Sequence, residues 1–371
     1  MKELREGFTT GTCAAIASKA AARMIFEKRA VEREKVLTPS GRVIETEILE
    51  PFFDDRISRC AVRKDAGDDP DVTDALLIFA ELSLKEEKGI EIDGGKGVGR
   101  VTKPGLQQKV GEAAINKVPR EMIRDAVSEV FREFSFEGGA KIVISVPGGE
   151  ERAKKTFNPR LGIEGGISIL GSSGIVKPMS EEAIIETVKA EIDIKAEEGG
   201  KLILTPGNYG RDFIRDNYGL DINLAVLCSN HIGEALDYAA YKGFKDILLV
   251  GHSGKLIKLS GGIMNTHSRN ADCRMELIAS SAAFYTGDVN VLRQILEANT
   301  TEEAFDILEN AGILNSVMER MGERALFYIR QRLREFEGVE AGLIIFSGER
   351  GVLYEDKPYR GGARQGRPDK L

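Results

Sequence analysis

Asp246-Ile247-Leu248-Leu249-Val250-Gly251-His252-Ser253-Gly254 is an unbroken apolar run that ends in a glycine, a histidine, a serine and a second glycine. A strand with one wet face alternates apolar and polar residues, whereas a short continuous apolar run is buried on both faces. The same form recurs at 167–170, 202–205, 224–228 and 343–346. Helical stretches separate these runs at 181–197, 210–217, 231–242 and 268–285, with more as far as 336. Apolar strands alternating with helices predict a Rossmann-like three-layer α/β domain with a mostly parallel sheet, over residues 159–350. Ligands of such sheets sit beyond the carboxyl ends of the strands. Those ends carry Gly171-Ser172-Ser173-Gly174, Pro206-Gly207-Asn208, Ser229-Asn230-His231 and Gly251-His252-Ser253-Gly254. All are small, polar and turn-forming, so a cofactor cleft is expected there, at Gly171, Ser172, Ser173, Gly174, Gly207 and Asn208.

Residues 1–158 have another rhythm. Residues 36–38 and 42–49 read as a hairpin around Pro39-Ser40-Gly41, and 57–63, 90–92 and 141–146 read as strands. Residues 76–84 suit a strand or a helix. Pro119 opens a helix to 134, since proline fits a first helical turn. Grouped strands with few helices predict a two-layer α+β domain. From 351 to 371 the chain is rich in Gly, Arg and Pro and reads as a loose tail.

The 371 residues suit two domains. With 42% hydrophobic residues and no low-complexity run, the chain is a globular one with a full core. No apolar stretch approaches the length of a membrane span, and no signal peptide is evident, so a cytoplasmic protein without membrane contact is expected. Fifty-two basic against 59 acidic residues leave a charge of −7, which argues against nucleic acid as the partner. A small anionic substrate needs only a local basic cluster. Cys13, Cys60, Cys228 and Cys273 are far apart and read as reduced thiols. With three histidines, a multi-histidine metal centre is not expected.

Several stretches can carry chemistry. Thr9-Thr10-Gly11-Thr12-Cys13 precedes an alanine-rich helix and suits either an anion or an ordinary cap, with Lys19, Arg23 and Glu27 as the solvent stripe. Five aspartates between Asp65 and Asp74 suggest a hard cation, although turn formation and capping explain them as well. The glycine-rich loop 94–99 looks phosphate-friendly, but Pro104-Gly105 blocks the helix that a dinucleotide fingerprint must open. His252 and His267 are general-base candidates because imidazole titrates near neutrality. Asp272, with Glu276 one turn away near a helix start, is a third catalytic candidate, although the helix dipole also accounts for it.

Taken in order, these segments resemble one family. The carriers are Leu4-Arg-Glu-Gly-Phe-Thr-Thr-Gly-Thr-Cys-Ala-Ala15, Lys64-Asp-Ala-Gly-Asp-Asp-Pro-Asp-Val-Thr73, Gly97-Val-Gly-Arg-Val-Thr-Lys-Pro-Gly-Leu106 and Val146-Pro-Gly-Gly149. Lys155-Thr-Phe-Asn-Pro-Arg-Leu-Gly162, Gly165-Gly-Ile-Ser-Ile-Leu-Gly171, Gly251-His252 with Gly254-Lys-Leu256, and Asn265-Thr-His-Ser268 complete the set. Together they are similar to the cobalt-precorrin-5B C-1 methyltransferases of anaerobic cobalamin biosynthesis, the CbiD type. An aromatic residue is expected where His231 stands, so His231 is not chosen as a base.

The resemblance implies methyl transfer from S-adenosylmethionine to C-1 of a cobalt-containing tetrapyrrole, giving cobalt-precorrin-6A. A sulfonium methyl is already electrophilic, so orientation and a water-poor pocket are the main requirements. The peripheral carboxylates of such a macrocycle call for a cationic rim, for which Arg100, Lys103, Lys155, Arg160, Lys255 and Lys258 are the candidates. Cobalt travels with the substrate, so no protein-bound metal is expected. The donor is expected at 171–174 and 206–208, the tetrapyrrole between the domains, and a homodimer is the default assembly. The alternatives are a nucleotide-dependent small-molecule kinase using the loop 94–99, and a non-catalytic tetrapyrrole-binding protein.

Overall fold

The computed structural model describes residues 4–178, 180–219 and 225–357. The chain forms two compact units, Met1–Ala183 and Ile184–Leu371. The boundary expected at 158/159 therefore falls inside the first unit. The reason is strand pairing: Ile163–Glu164 pairs with Arg100–Val101, Gly166–Ile167 with Gly97–Val98, and Ile175–Val176 with Gly7–Phe8. The apolar run at 167–170 is thus part of the first unit and not a strand of the large parallel sheet.

In the first unit a five-stranded sheet runs in the order Leu49–Phe53, Ile57–Arg63, Leu77–Lys85, Gly139–Ser145, Gly89–Gly94. Only its last pair is parallel. Residues 77–85 resolve as a strand, and the hairpin forms from Arg33–Leu37 and Val43–Glu47. The helix Thr10–Glu27 packs on the strands Ile57–Arg63 and Leu77–Lys85 and against the helix Lys117–Glu133. Its alanines allow close approach on nearly every side, and Ala14, Ala17, Ala20 and Ala21 are fully buried. The expected solvent stripe is absent. Lys19 is buried and bonds Glu129 at 2.9 Å, and Arg23 bonds Glu34 and Glu133, each at 2.9 Å. Helices on one sheet face make the expected two-layer α+β arrangement.

The second sheet has the order Ala225–Leu227, Lys201–Thr205, Asp246–His252, Glu340–Ser347, Gly351–Asp356. The first four strands are parallel and the last is antiparallel. Leu202, Leu204, Ile247, Leu249, Leu343 and Ile345 join the larger core, while Ile203, Leu248, Val250, Ile344 and Phe346 join a smaller one with Ile214. Alternate residues face opposite layers and both layers are covered, which is why these strands read as unbroken apolar runs. This is the expected mostly parallel, helix-covered sheet.

Two further expectations need correction. The loose tail does not begin at 351: Gly351–Asp356 is an edge strand, anchored by buried Tyr354 against Gly322, where a Cβ would collide with the ring. Residues 358–371 and Leu224 lie outside the described residues. The helix expected at 268–285 is shorter, Arg274–Ala282, so Asp272 precedes it. Among the described residues no helix is long and apolar enough to cross a membrane.

Candidate functional site

The winding of the second sheet reverses beside one strand. The chain passes from Lys201–Thr205 to its outer neighbour Ala225–Leu227, then returns on the other side as Asp246–His252. At such a switch point the loops diverge and leave a crevice beyond the strand ends. Here the diverging loops begin at Pro206-Gly207-Asn208 and Gly251-His252-Ser253. Gly251 lets them approach, since a Cβ there would stand 3.0 Å from Pro206 Cδ. Gly207 opens the helix Asn208–Tyr218 without a side-chain cap, and the space where its Cβ would lie is empty. The Cys228 N–H donates to the Thr205 carbonyl at 2.9 Å, tying the edge strand's end to the same place.

His252 stands at this point but both of its nitrogens face protein groups. Nδ1 accepts the Gly254 N–H at 3.1 Å, capping the turn Ser253–Leu256. The neutral ring that accepts at Nδ1 carries its proton on Nε2. Nε2 lies 4.0 Å from Glu302 Oε1. The other Glu302 oxygen accepts from Ser347 Oγ at 3.0 Å and from the Arg350 guanidinium at 2.7 Å. Phe346, stacked on Phe213 at 4.0 Å, meets the imidazole edge-on. Glu302 Oε1 and Ser253 Oγ are buried with no hydrogen-bond partner. Glu302, Ser347 and Arg350 were not foreseen; Ser347-Gly348 repeats the strand-end pattern, but nothing in sequence links Glu302 to it.

The other candidates separate by environment. Lys255 is half-buried, its side chain has no hydrogen bond or ion pair among the described residues, and burial pushes its pKa down. Lys258 is not free for a ligand: it is buried and donates to the Thr266 and Ala271 carbonyls at 3.1 and 2.8 Å, with Asp272 at 3.8 Å. Asp272 is locked to Arg274 at 2.6 and 2.9 Å, and that guanidinium holds its carboxyl below the usual range. His267 is exposed, and its Nδ1 accepts the Arg269 N–H at 3.1 Å. His267 and Asp272 therefore belong to a loop closed by Lys258, and no hydrogen bond joins either to His252.

Gly171, Ser172, Ser173 and Gly174 belong to the first unit and not to the switch-point crevice. They close the N-terminus of the helix Thr10–Glu27: Gly11 N–H donates to Leu170 O at 3.0 Å, and Thr9 N–H and Thr12 Oγ1 donate to Gly174 O at 3.1 and 2.7 Å. The donors at that helix end are taken up by the protein's own carbonyls, which favours the ordinary cap over the anion. In the loop 94–99, a Cβ on Gly97 would land on the Val146 carbonyl, and one on Gly149 or Gly166 would land on Gly97. These glycines serve backbone-on-backbone packing, which leaves the kinase alternative without its phosphate loop. The aspartates are likewise engaged. Asp65 pairs with both terminal nitrogens of Arg5 at 2.6 and 2.8 Å, Asp74 accepts the Ala66 N–H, and Asp71 meets buried Lys64 at 3.1 Å. Among the described residues no group of three or more His, Cys, Asp or Glu is placed to hold a metal.

The remaining cations border one small sheet of the first unit. Arg100 is spent on Asp93 at 2.8 Å and the Gly94 carbonyl at 2.7 Å. Lys103 is exposed beside Gly162, which would clash with its stem if it bore a side chain, and Thr102 N–H donates to the Gly162 carbonyl at 2.7 Å. Arg160 lies over the exposed ring of Phe157 at 5.8 Å, and Lys155 is exposed nearby in the chain.

The family model described as CbiD matches residues 1–178, and the one described as CbiD, C-terminal domain, matches 265–357. A protein of Ruminiclostridium cellulolyticum named cobalt-precorrin-5B C(1)-methyltransferase is 50% identical over 332 residues, 89% of this chain and 86% of its own length. A Thermoanaerobacter protein of the same name is 44% identical, covering 95% of both chains. The crystal structure of a cobalamin biosynthesis protein (CbiD) from Archaeoglobus fulgidus is 32% identical over 72% of this chain and 83% of its own, with a TM-score of 0.38. The class that follows from these relatives is a C-methyltransferase of cobalamin biosynthesis. Within that class, the chain belongs to the CbiD family.

Proposed function

We propose that this protein transfers a methyl group from S-adenosylmethionine to C-1 of cobalt-precorrin-5B, giving cobalt-precorrin-6A. The observation that carries the reading is identity spread over both units with relatives named for C-1 methylation of that substrate. The donor supplies an electrophilic sulfonium methyl. The crevice at Gly207, Asn208 and Gly251 fits such a group, because Gly207 leaves room beside an uncapped helix end and no side chain fills it. Lys103, Lys155 and Arg160, exposed and without a carboxylate partner among the described residues, suit the macrocycle's carboxylates. Arg100 and Lys258 are withdrawn from that rim by their own partners.

His252 then positions rather than abstracts: its cap on Gly254 holds the turn that borders the crevice. A nucleophilic ring carbon needs alignment more than a base, and alignment can contribute about 7–11 kcal/mol. Incubation with cobalt-precorrin-5B and a donor carrying a 13C methyl should place the label on C-1, read by NMR. Absence of transfer, or label on another carbon, would refute the reading.

A further inference from the structure

Among the described residues Lys255 is a cation without a counter-charge. It follows the carboxyl end of the central strand Asp246–His252 by three residues. Its electrostatic neighbours are the Cys228 thiol, at the end of the outer strand, and the Lys258 ammonium. The strand Lys201–Thr205 lies between those two strands, and Cys228 is bonded to Thr205. The lysine, which follows the central strand, is therefore within electrostatic reach of the end of the outer strand, across the end of Lys201–Thr205. Lys258 repels it and is itself already engaged by two carbonyls. A half-buried ammonium with no acceptor is an unfavourable arrangement that a bound anion relieves.

We propose that Lys255 anchors the α-carboxylate of the donor's amino-acid portion in the switch-point crevice. The inference rests on the donor reading above. One further observation bears on the ligand's sign. The helix Asn208–Tyr218 begins at the same crevice without a capping side chain, and its N-terminal end favours negative charge. The other free cations, the exposed Lys103 and Arg160, lie in the first unit and suit carboxylates on the edge of a wide ring.

Calorimetric titration of the full-length protein with S-adenosylhomocysteine and with 5′-methylthioadenosine, which lacks the amino-acid portion, tests this. Lys255→Met should weaken S-adenosylhomocysteine about tenfold or more and leave 5′-methylthioadenosine unchanged, as loss of a charged hydrogen bond predicts. Lys255→Arg should recover part of the loss. Unchanged S-adenosylhomocysteine binding with a raised KM for the tetrapyrrole would assign Lys255 to the macrocycle and overturn the proposal. Equal weakening of both nucleosides would overturn it too, by making Lys255 a support of the crevice wall. If the wild-type protein bound neither compound, the donor reading itself would fall.

Discussion

At the level of single residues the chemistry is decided by which polar atoms already have partners. His252 is the clearest case, because a cap on one nitrogen and a carboxylate near the other leave no free lone pair for a substrate proton. Asparagine keeps a cap acceptor that alanine lacks, and loss of a cap costs about 1 kcal/mol. His252→Asn should therefore retain most of kcat with an unaltered pH–rate profile, while His252→Ala loses turnover. Equal inactivation of both variants, with loss of a limb in the pH profile, would restore the histidine as a base. Lys64 shows the opposite situation, a fully buried ammonium whose charge is met by Asp71. Asp71→Asn leaves that charge uncompensated and should lower stability by about 3 kcal/mol in denaturant unfolding. Asp65 adds a pH dependence. The Arg5 guanidinium holds its carboxyl below the ordinary range, so the folded state binds the proton less readily than the unfolded chain. The pair's stabilisation is complete above the ordinary carboxylate range, about pH 4, and fades as acid titrates the folded group. Arg5→Gln should flatten that acid limb of a stability–pH curve.

Among elements, glycine content in the first unit reflects packing. Gly97 combines a left-handed φ of 78° with a backbone neighbour where its Cβ would be. Gly111 has a similar φ of 89° in open space. Gly97→Ala should therefore cost about 3 kcal/mol or more and Gly111→Ala about 1 kcal/mol, read as the shift between their urea midpoints. Equal shifts would mean that backbone strain alone accounts for the glycine at 97. The loop 94–99 read as phosphate-friendly because a nest of glycines looks alike whether it faces a ligand or another strand. The helix Thr10–Glu27 misled in the same way. Lys19 and Arg23 are spaced like a wet stripe, but Glu34, Glu129 and Glu133 arrive from distant segments to neutralise them.

At the scale of the molecule, each unit has its own apolar core: one around the helix Thr10–Glu27, the other around the parallel sheet. A chain cut ahead of the helix Glu181–Glu198 should yield two fragments that each unfold cooperatively, as followed by circular dichroism. A first fragment lacking 159–178 should not, because Ile163–Glu164, Gly166–Ile167 and Ile175–Val176 complete its small sheets. The parallel sheet was legible because a strand covered on both faces needs every residue apolar, and that constraint is local. The two-layer character of the first unit was legible for the complementary reason, alternation. The glycine- and serine-rich strand ends at Gly207 and Gly251 were legible too, since turns at strand termini also depend on near neighbours. By itself, then, the sequence determined the two fold types, the register of burial and the family. Which candidates remain available to a ligand was decided only by tertiary structure. Arg100 and Lys258 are engaged by groups that folding delivers, segment 171–174 is drawn onto a helix near the start of the chain, and Lys255 is left unpaired among the described residues. A side chain's charge and shape are written in the chain, but its partner is set by long-range contacts that no local pattern encodes.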